Sequence, residues 1–579
     1  MTAWIAAHLA PLMFAALALA LLSGMPVVFA LAGVGLGFAA LGIALDLMPA
    51  VLVTALPLRV FGIMANELLL AIPFFTFMGL VLDGSGLAED VLETAGQLSG
   101  ARRGGLALAV LVVGALLAAT TGVVAASVIS IGTVSLPVML RQGYNPRVAA
   151  GIVAAAGGLT QIVPPSLSLI VLADQLGRGV GEMYAAALLP AALIVGAYAA
   201  LIAAMAWLRP QLLPAAPGAE RASPLASAPD ARIALLGLVL VGLAGGWAAW
   251  QAHPAVTRWV GRSVAPPADE RVIVAIALAA SLVFMAAAAD LRLRRGLLPP
   301  LLRRAVLVCA PPLVLIFLVL GTIYVGLATP TEAGAMGAVG SLLVAHRRLD
   351  RAKLAQIAVR TARLSSFVIF ILIGSTVFSH TFAAVDGNLW VQSLFDRLPG
   401  GATGFLVAVT VLIFVLGLFL DFFEIAFVAM PLMAPVADRL GIDLVWFGVL
   451  VGINLQTSFL TPPFGYALFF LRNVAPRQSS IDAVSGRRVP GVSTLDIYLG
   501  ALPYVAVQVL VMAAVIAWPA LVHLDNNRPR LDEATTERVL EHAADAGALY
   551  NPGRPRPDPA KLLQQYLRDS GLVPADAKP

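Results

Sequence analysis

Four stretches of this sequence put oxygen-bearing side chains beside helix breakers. Thr120-Thr121-Gly122 interrupts an apolar run from Leu106 to Leu136, and Asp421-Phe422-Phe423-Glu424 interrupts another over 404–437. Each is followed by a broken apolar run, Gly157-Gly158-Leu159-Thr160-Gln161-Ile162-Val163-Pro164-Pro165-Ser166 and then Gln456-Thr457-Ser458-Phe459-Leu460-Thr461-Pro462-Pro463. Two successive prolines remove two amide donors and push the preceding residue out of helical geometry. The carbonyls released there, with nearby hydroxyls, suit a hard cation such as sodium, which takes about five or six oxygens. A half-helix that restarts after the prolines offers free amides, which attract a carboxylate.

The elements that must position these groups are membrane spans. Hydrophobic residues make up 60% of the 579 positions and charged residues 12%, against about 45–50% and about 25% for a soluble domain. Mean hydropathy is +0.91. A crossing takes roughly 20 apolar residues, and spans are expected near 5–21, 26–46, 67–82, 184–208, 305–323, 331–345, 365–383 and 497–522. The alternating short strands of a membrane barrel are missing. The single cysteine, Cys309, lies in an apolar run and reads as a core thiol, with no disulfide framework or Cys-based metal site. A formal charge of +5 and pI of 9.5 reflect arginine-rich inner loops rather than a nucleic-acid footprint. Residues 1–21 have no basic leader segment and read as the first span.

The two interrupted runs are expected to be re-entrant hairpins, at 106–140 and 404–437. Each arm of the first counts about 14 residues, or about 20 Å of helix, against a core about 30 Å thick. Arginines flank it on both sides, Arg102 and Arg103 before, Arg141 and Arg147 after, so both ends face the cytoplasm. Broken helices follow at 146–176 and 444–472. Pro137 and Pro435, Gly143 and Gly441, Pro164 and Pro462, and Pro165 and Pro463 are each 298 residues apart (435 less 137, for example). A shared register of this kind marks a repeat. The arginines at 209, 221, 292, 294, 295, 303, 304, 347, 348, 351, 360, 363, 472, 477, 487 and 488, with Lys353, then fall inside. An odd number of crossings per repeat inverts the second half, as carriers with a pseudo-two-fold axis in the membrane plane require. Both termini are expected outside.

The fold class expected is therefore an all-α polytopic membrane protein of two inverted repeats, over 1–209 and 305–523. A Pro/Ala/Ser linker and two extra helices, near 234–252 and 271–290, fill 210–304, and a polar tail covers 524–579. Between 46 and 66, Leu58, Phe61 and Met64 at helical spacing beside Arg59, with Pro57 suited to a first turn, indicate an interfacial helix. Gly86–Leu98 carries Glu89, Asp90 and Glu93 opposite an apolar face and reads likewise. The insert and the tail show no chemistry.

At this point the sequence resembles a known family, the large membrane subunit of tripartite ATP-independent periplasmic (TRAP) transporters. The stretches that carry it are Ala71-Ile72-Pro73-Phe74-Phe75 with Gly79, Arg103-Gly104-Gly105-Leu106, and Leu136-Pro137 with Met139, Gly143 and Tyr144. To these add Ile162-Val163-Pro164-Pro165-Ser166, Ala328-Thr329-Pro330-Thr331-Glu332-Ala333, and Leu460-Thr461-Pro462-Pro463 with Gly465. The likeness runs from about residue 5 to 522 apart from the insert. It implies an elevator-type ion-transporter fold, sodium as coupling ion, and import of an organic anion across the bacterial inner membrane. It also implies two partners, a small four-helix membrane subunit and a periplasmic substrate-binding protein. At the first tip, where many relatives look like Gly-Ser-Ser, this chain has Gly122-Val123-Val124, which removes two hydroxyls from that ion site. The Thr120-Thr121-Gly122 tip looks like the branch of larger subunits assigned to mannitol or chloroaromatic acids.

One expected sodium site combines Thr120, Thr121 and Gly122 with Gly158, Thr160 and Gln161; the competing account is that Thr and Gly only pack the tip closely. The repeat carries Gly122 onto Leu420, Gly158 onto Gln456 and Thr160 onto Ser458. A second site then gathers Leu420, Asp421, Phe422, Gln456, Ser458 and Thr461. Carboxylates at membrane depth cost several kcal/mol unless paired or wet, so Asp421 and Glu424 point to function. Asp421 either ligates the second ion or faces an outer vestibule. Pro165, Ser166 and Pro463, at the half-helix starts, are the expected substrate-binding residues. Glu332 reads as a first-turn carboxylate that stabilises a helix dipole, and His380 as structural. Six scattered histidines offer no catalytic set for a membrane enzyme, and a phosphate-binding loop for an ATP-driven motor is missing. No cofactor beyond sodium is expected. A free-standing sodium/anion symporter is the competing transporter reading.

Overall fold

A computed structural model describes residues 4, 8–99, 103–215, 229–259, 266, 268–293, 296–481 and 488–522. Arg102, Arg221, Arg294, Arg295, Arg487, the tail 524–579 and the side chains of Thr120 and Thr121 lie outside the described residues. Among the described residues, nine helices are long and apolar enough to cross a membrane. The first repeat comprises Leu9–Leu22, Val27–Ala44, the short amphipathic Leu56–Met64, Ala71–Gly84 and Leu87–Ser99. A hairpin, a broken helix and the long span Val180–Leu208 complete it. The second runs Pro300–Val325, Pro330–Ala345, Arg351–Ala384 and Gly387–Asp396, then its own hairpin, broken helix and final span Thr494–Ala517.

Local chemistry sets these boundaries. Pro57 occupies the first turn of Leu56–Met64, and Leu58, Phe61 and Met64 are left exposed, the pattern of a helix lying at an interface. Thr329 and Glu332 form a reciprocal capping box at the start of Pro330–Ala345, which satisfies two orphan donors. His380 donates through Nε2 to the Leu52 carbonyl at 2.9 Å, a structural tie. Ser480–Ile481 pairs antiparallel with Arg488–Val489, a small sheet that apolar periodicity does not announce.

The first hairpin has arms Gly105–Thr121 and Val124–Arg141, of 17 and 18 residues. They are longer than the expected 14: the first arm stays helical through Thr120 and Thr121, and the second continues through Pro137 to Arg141. Length alone therefore does not make this segment re-entrant; its ends do. A Cβ on Gly104 at its entrance would lie 3.7 Å from Leu213, and one on Gly143 at its exit 3.6 Å from Pro214, so the chain leaves where it entered. In the second hairpin, Gly401–Leu416 turns back through Phe422–Val428 and Met430–Arg439, and Arg439 at its exit lies 4.0 Å from Asp396 at its entrance.

The two mouths lie at opposite ends of the molecule. At one end Arg147, beside the first mouth, pairs with Asp496 at 2.9 Å. Arg304 reaches Glu93 at 2.9 Å, and Arg348 pairs with Asp90. At the other end Arg178, past the far end of the first broken helix, lies 3.8 Å from Asp438 at the second mouth. Nearby Asn66 donates to Asp174 at 3.0 Å, and Thr331 donates to the Glu67 carbonyl at 2.7 Å. The halves are inverted. Exposed ion pairs contribute about 0–1 kcal/mol each, so they mark the two ends and do not hold the bundle together.

Close packing of small residues holds it, the available force between helices in lipid. A Cβ at Gly157 would stand 2.4 Å from a Val128 methyl, so the first hairpin grips the first broken helix. A Cβ at Gly500 would stand 1.9 Å from the Arg147 carbonyl oxygen, and one at Gly151 2.0 Å from the Gly500 oxygen. The final span therefore lies backbone to backbone on the first broken helix. The extra helices, Pro229–Trp259 and Ala268–Leu293, pack on each other, and the second packs on Pro300–Val325.

Candidate ion and substrate site

The first broken helix runs Pro146–Gly158, tightens to a 3₁₀ turn over Leu159–Gln161 and restarts at Leu167–Gln175. The second runs Leu444–Phe459 and restarts at Tyr466–Val474. The Pro164-Pro165 and Pro462-Pro463 bonds are both cis. The breaks meet near the centre: a Cβ at Gly158 would lie 3.6 Å from Leu460, and one at Gly452 3.3 Å from Ile162.

Each hairpin tip covers its own break. Gly122 turns the first tip with φ +62°, and a Cβ there would come within 2.7 Å of Leu167. Glycine is required on both counts, for the left-handed backbone and for the space. The arm ending at Thr121 packs on the 159–161 turn. At the second tip a Cβ on Gly417 would stand 2.2 Å from the Ser458 hydroxyl, and the Phe419 and Phe464 rings lie 5.0 Å apart.

The hydroxyls at the breaks are committed inward as donors. Thr160 Oγ1 donates to the Gly157 carbonyl at 3.2 Å, Ser458 Oγ to Leu455 at 2.9 Å, and Thr461 Oγ1 to Thr457 at 2.8 Å. A hydroxyl whose proton is fixed this way presents only lone pairs elsewhere, the form in which it can ligate a cation. Ser166, fully buried, does more. Its Oγ donates to the Thr160 carbonyl at 2.8 Å, approaches the Gln161 carbonyl at 3.2 Å, and accepts from the Ser168 amide at 3.2 Å. Tyr184 donates to the Ser166 carbonyl. The hydroxyl expected to meet substrate thus stitches the gap closed, and two carbonyls freed by the prolines are satisfied within the chain.

Gln161 Oε1 and both polar atoms of Gln456 are buried, with no hydrogen-bond partner among the described residues. Buried polar atoms are nearly always paired, so these two carboxamides have hydrogen-bonding or ligating capacity left for a water or an ion, as the Gln508 carboxamide does elsewhere in the molecule. Sequence reasoning placed both glutamines in the ion sites, but nothing in the sequence showed that their carboxamides would be orphaned.

Asp421 and Glu424 form a reciprocal capping box. Asp421 Oδ1 accepts from the Glu424 amide at 2.9 Å, and Glu424 Oε2 accepts from the Asp421 amide at 2.9 Å. One oxygen of each carboxylate therefore finishes the helix Phe422–Val428. Tyr466, opening the second half-helix, packs its ring 5.3 Å from that of Phe459 across the break. Leu420 is half-buried and Phe422 buried beside the two carboxylates, while Pro165 is buried and Pro463 exposed. The Pro463 carbonyl accepts from the Tyr498 hydroxyl.

A helical membrane protein of two inverted halves, each closing a hairpin tip on a broken helix, is built as a secondary carrier. The family profile described as "Tripartite ATP-independent periplasmic transporter, DctM component" matches residues 14–521, and the chain belongs to that family, the large permease subunits of these transporters. It is 26% identical over 420 residues, 72% of this chain and 80% of its relative, to a C4-dicarboxylate TRAP transporter large permease protein from Pseudomonas aeruginosa. It is 25% identical to an isethionate TRAP transporter permease protein from Oleidesulfovibrio alaskensis, covering 80% of this chain and 60% of that one. Among solved structures it is similar to the YdaH transporter of Alcanivorax borkumensis, with TM-score 0.46 and 15% identity over 81% of this chain and 88% of that chain.

Proposed function

We propose that this chain is the permease of a binding-protein-dependent carrier that imports an organic carboxylate with sodium across the bacterial inner membrane. The observation that carries the reading is the pair of facing breaks, each under its own hairpin tip and each holding an orphaned glutamine. Gly122, Gly158, Thr160 and Gln161, with Thr120 and Thr121, form the first sodium site. Leu420, Asp421, Phe422, Gln456, Ser458 and Thr461 form the second. The hairpins and broken helices move together as an elevator against the remaining spans. The curated relatives are named for C4-dicarboxylates, isethionate, 2,3-diketo-L-gulonate and sialic acid; all are organic anions, three of them carboxylates and isethionate a sulfonate, which supports an organic anion, and most readily a carboxylate, as cargo. A small four-helix membrane subunit and a periplasmic binding protein complete the system, and both termini are periplasmic.

The test is uptake into proteoliposomes of the labelled acid that the cognate binding protein retains on purification. Uptake is expected to need an inward sodium gradient and to fall to background when the binding protein or the small subunit is omitted. Full-rate transport by the chain alone would make it a free-standing symporter.

A further inference from the structure

Helices Pro229–Trp259 and Ala268–Leu293 belong to neither repeat, and an open groove of about 790 Å³ runs between them. Leu235 and Leu302 line one end, Trp250 and Val272 the other. At 1.5 Å per residue the wall from Leu235 to Trp250 rises about 22 Å. Its lining is aliphatic and indole carbon. At the Trp250 end, Arg271 stacks over the indole with its guanidinium carbon 4.0 Å from the ring centroid. It donates to the Trp250 carbonyl from Nη2 at 2.8 Å and from Nε at 3.3 Å. These groups are neutral, and the adjacent Glu270 directs its carboxylate to His253 Nε2 at 2.7 Å.

A guanidinium held against Trp250, the indole at one end of this carbon-walled groove, on helices with exposed apolar faces, matches a phosphate joined to an acyl chain. Arginine forks onto phosphate oxygens, and one leaflet's chains reach through about 15 Å, half the hydrocarbon core. A chain anchored at Arg271 would lie along Trp247, Leu243 and Val239. We propose that this groove is a binding site for one anionic phospholipid, with its phosphate at Arg271. The proposal is independent of what the carrier transports, because its readout is lipid retention and not uptake.

The probe is palmitoyl-oleoyl phosphatidylglycerol, titrated against the purified full chain in mild detergent and read by native mass spectrometry, with phosphatidylcholine as comparator. One phosphatidylglycerol should bind at least tenfold more tightly than phosphatidylcholine. Arg271→Gln should lose that tenfold preference and Arg271→Lys should keep most of it. Val239→Trp, which fills the groove from an exposed position, should abolish the adduct while leaving elution unchanged. Equal binding by wild type and Arg271→Gln, or an adduct that survives Val239→Trp, would overturn the assignment. So would a photo-crosslinker at Val239 that captures a polypeptide instead of lipid in native membranes, which would make the groove a protein-docking face.

Discussion

Pro165 and Ser166 are buried, whereas Pro463 and Phe464, their counterparts one repeat later, are exposed. The first break is closed by a side chain, Ser166, that binds across the gap and caps the helix beyond it. The second has Gly465 at the start of its half-helix, with no side-chain cap. Gly157 lets the first hairpin settle on the first broken helix, and its counterpart in the repeat is Leu455. Duplication has copied where the helix stops, and each half has completed the gap in its own way. The first break is buried and stitched by its own side chain; the second leaves Pro463 and Phe464 exposed.

The most severe test of that contrast is Gly157→Leu, which writes the residue of the second half into the first. Its side chain would run into Val128, and overpacking of this kind costs about 1–3 kcal/mol or more. A large drop in apparent unfolding temperature, read by thermal size-exclusion chromatography, is expected. An unchanged value would mean that the first hairpin does not grip its broken helix.

Ser166→Ala should come next. It removes an N-cap worth about 1 kcal/mol and leaves carbonyls unmet at about 1–3 kcal/mol. Stability should fall, and the sodium concentration for half-maximal uptake should rise. If only substrate affinity changed, with stability intact, Ser166 would be a substrate ligand and not a stitch.

Asp421→Asn separates two roles of one residue, since asparagine caps a helix about as well as aspartate. Stability should hold, while half-maximal sodium should rise a few-fold if about 1 kcal/mol of cation attraction is lost. Docking of the binding protein, measured directly, should barely move. An unmoved sodium curve with collapsed docking would make Asp421 a surface contact.

The smallest effect is expected for Phe464→Ala, within about 0.5 kcal/mol because the ring is exposed. A loss matching that of Ser166→Ala would show the second break to be closed as firmly as the first.

Much of this frame was legible before any coordinates. Double prolines and a shared register of 298 residues located both breaks, because backbone geometry leaves few alternatives at Pro-Pro, while interrupted apolar runs and flanking arginines pointed to the hairpins. The arms run past the expected 14 residues because Thr120 and Thr121 stay helical and a helix packed on its neighbours tolerates Pro137. The spacing Asp421-x-x-Glu424 is itself a capping-box signature. Reading the pair through the cost of buried charge hid that simpler use, although one oxygen of each carboxylate remains outside the box. The stitch by Ser166 was not legible at all, since its partners are fixed by the path the chain takes through the gap. Nor was the Arg271–Trp250 stack, whose members sit 21 residues apart on different helices and share no periodic signal.

The contact between Gly500 and the Arg147–Gly151 turn has one more consequence. A junction with no side chains between its backbones has no lubricant, so it cannot slide or shear by rotamer changes as an aliphatic seam can. In the proposed elevator the span Thr494–Ala517 would therefore travel with the first broken helix, so the moving part would be larger than the hairpins and broken helices alone. Val180–Leu208 packs on that span in turn, with the Tyr198 and Tyr504 rings edge to face at 5.0 Å, a softer aromatic seam at which such a part could shift.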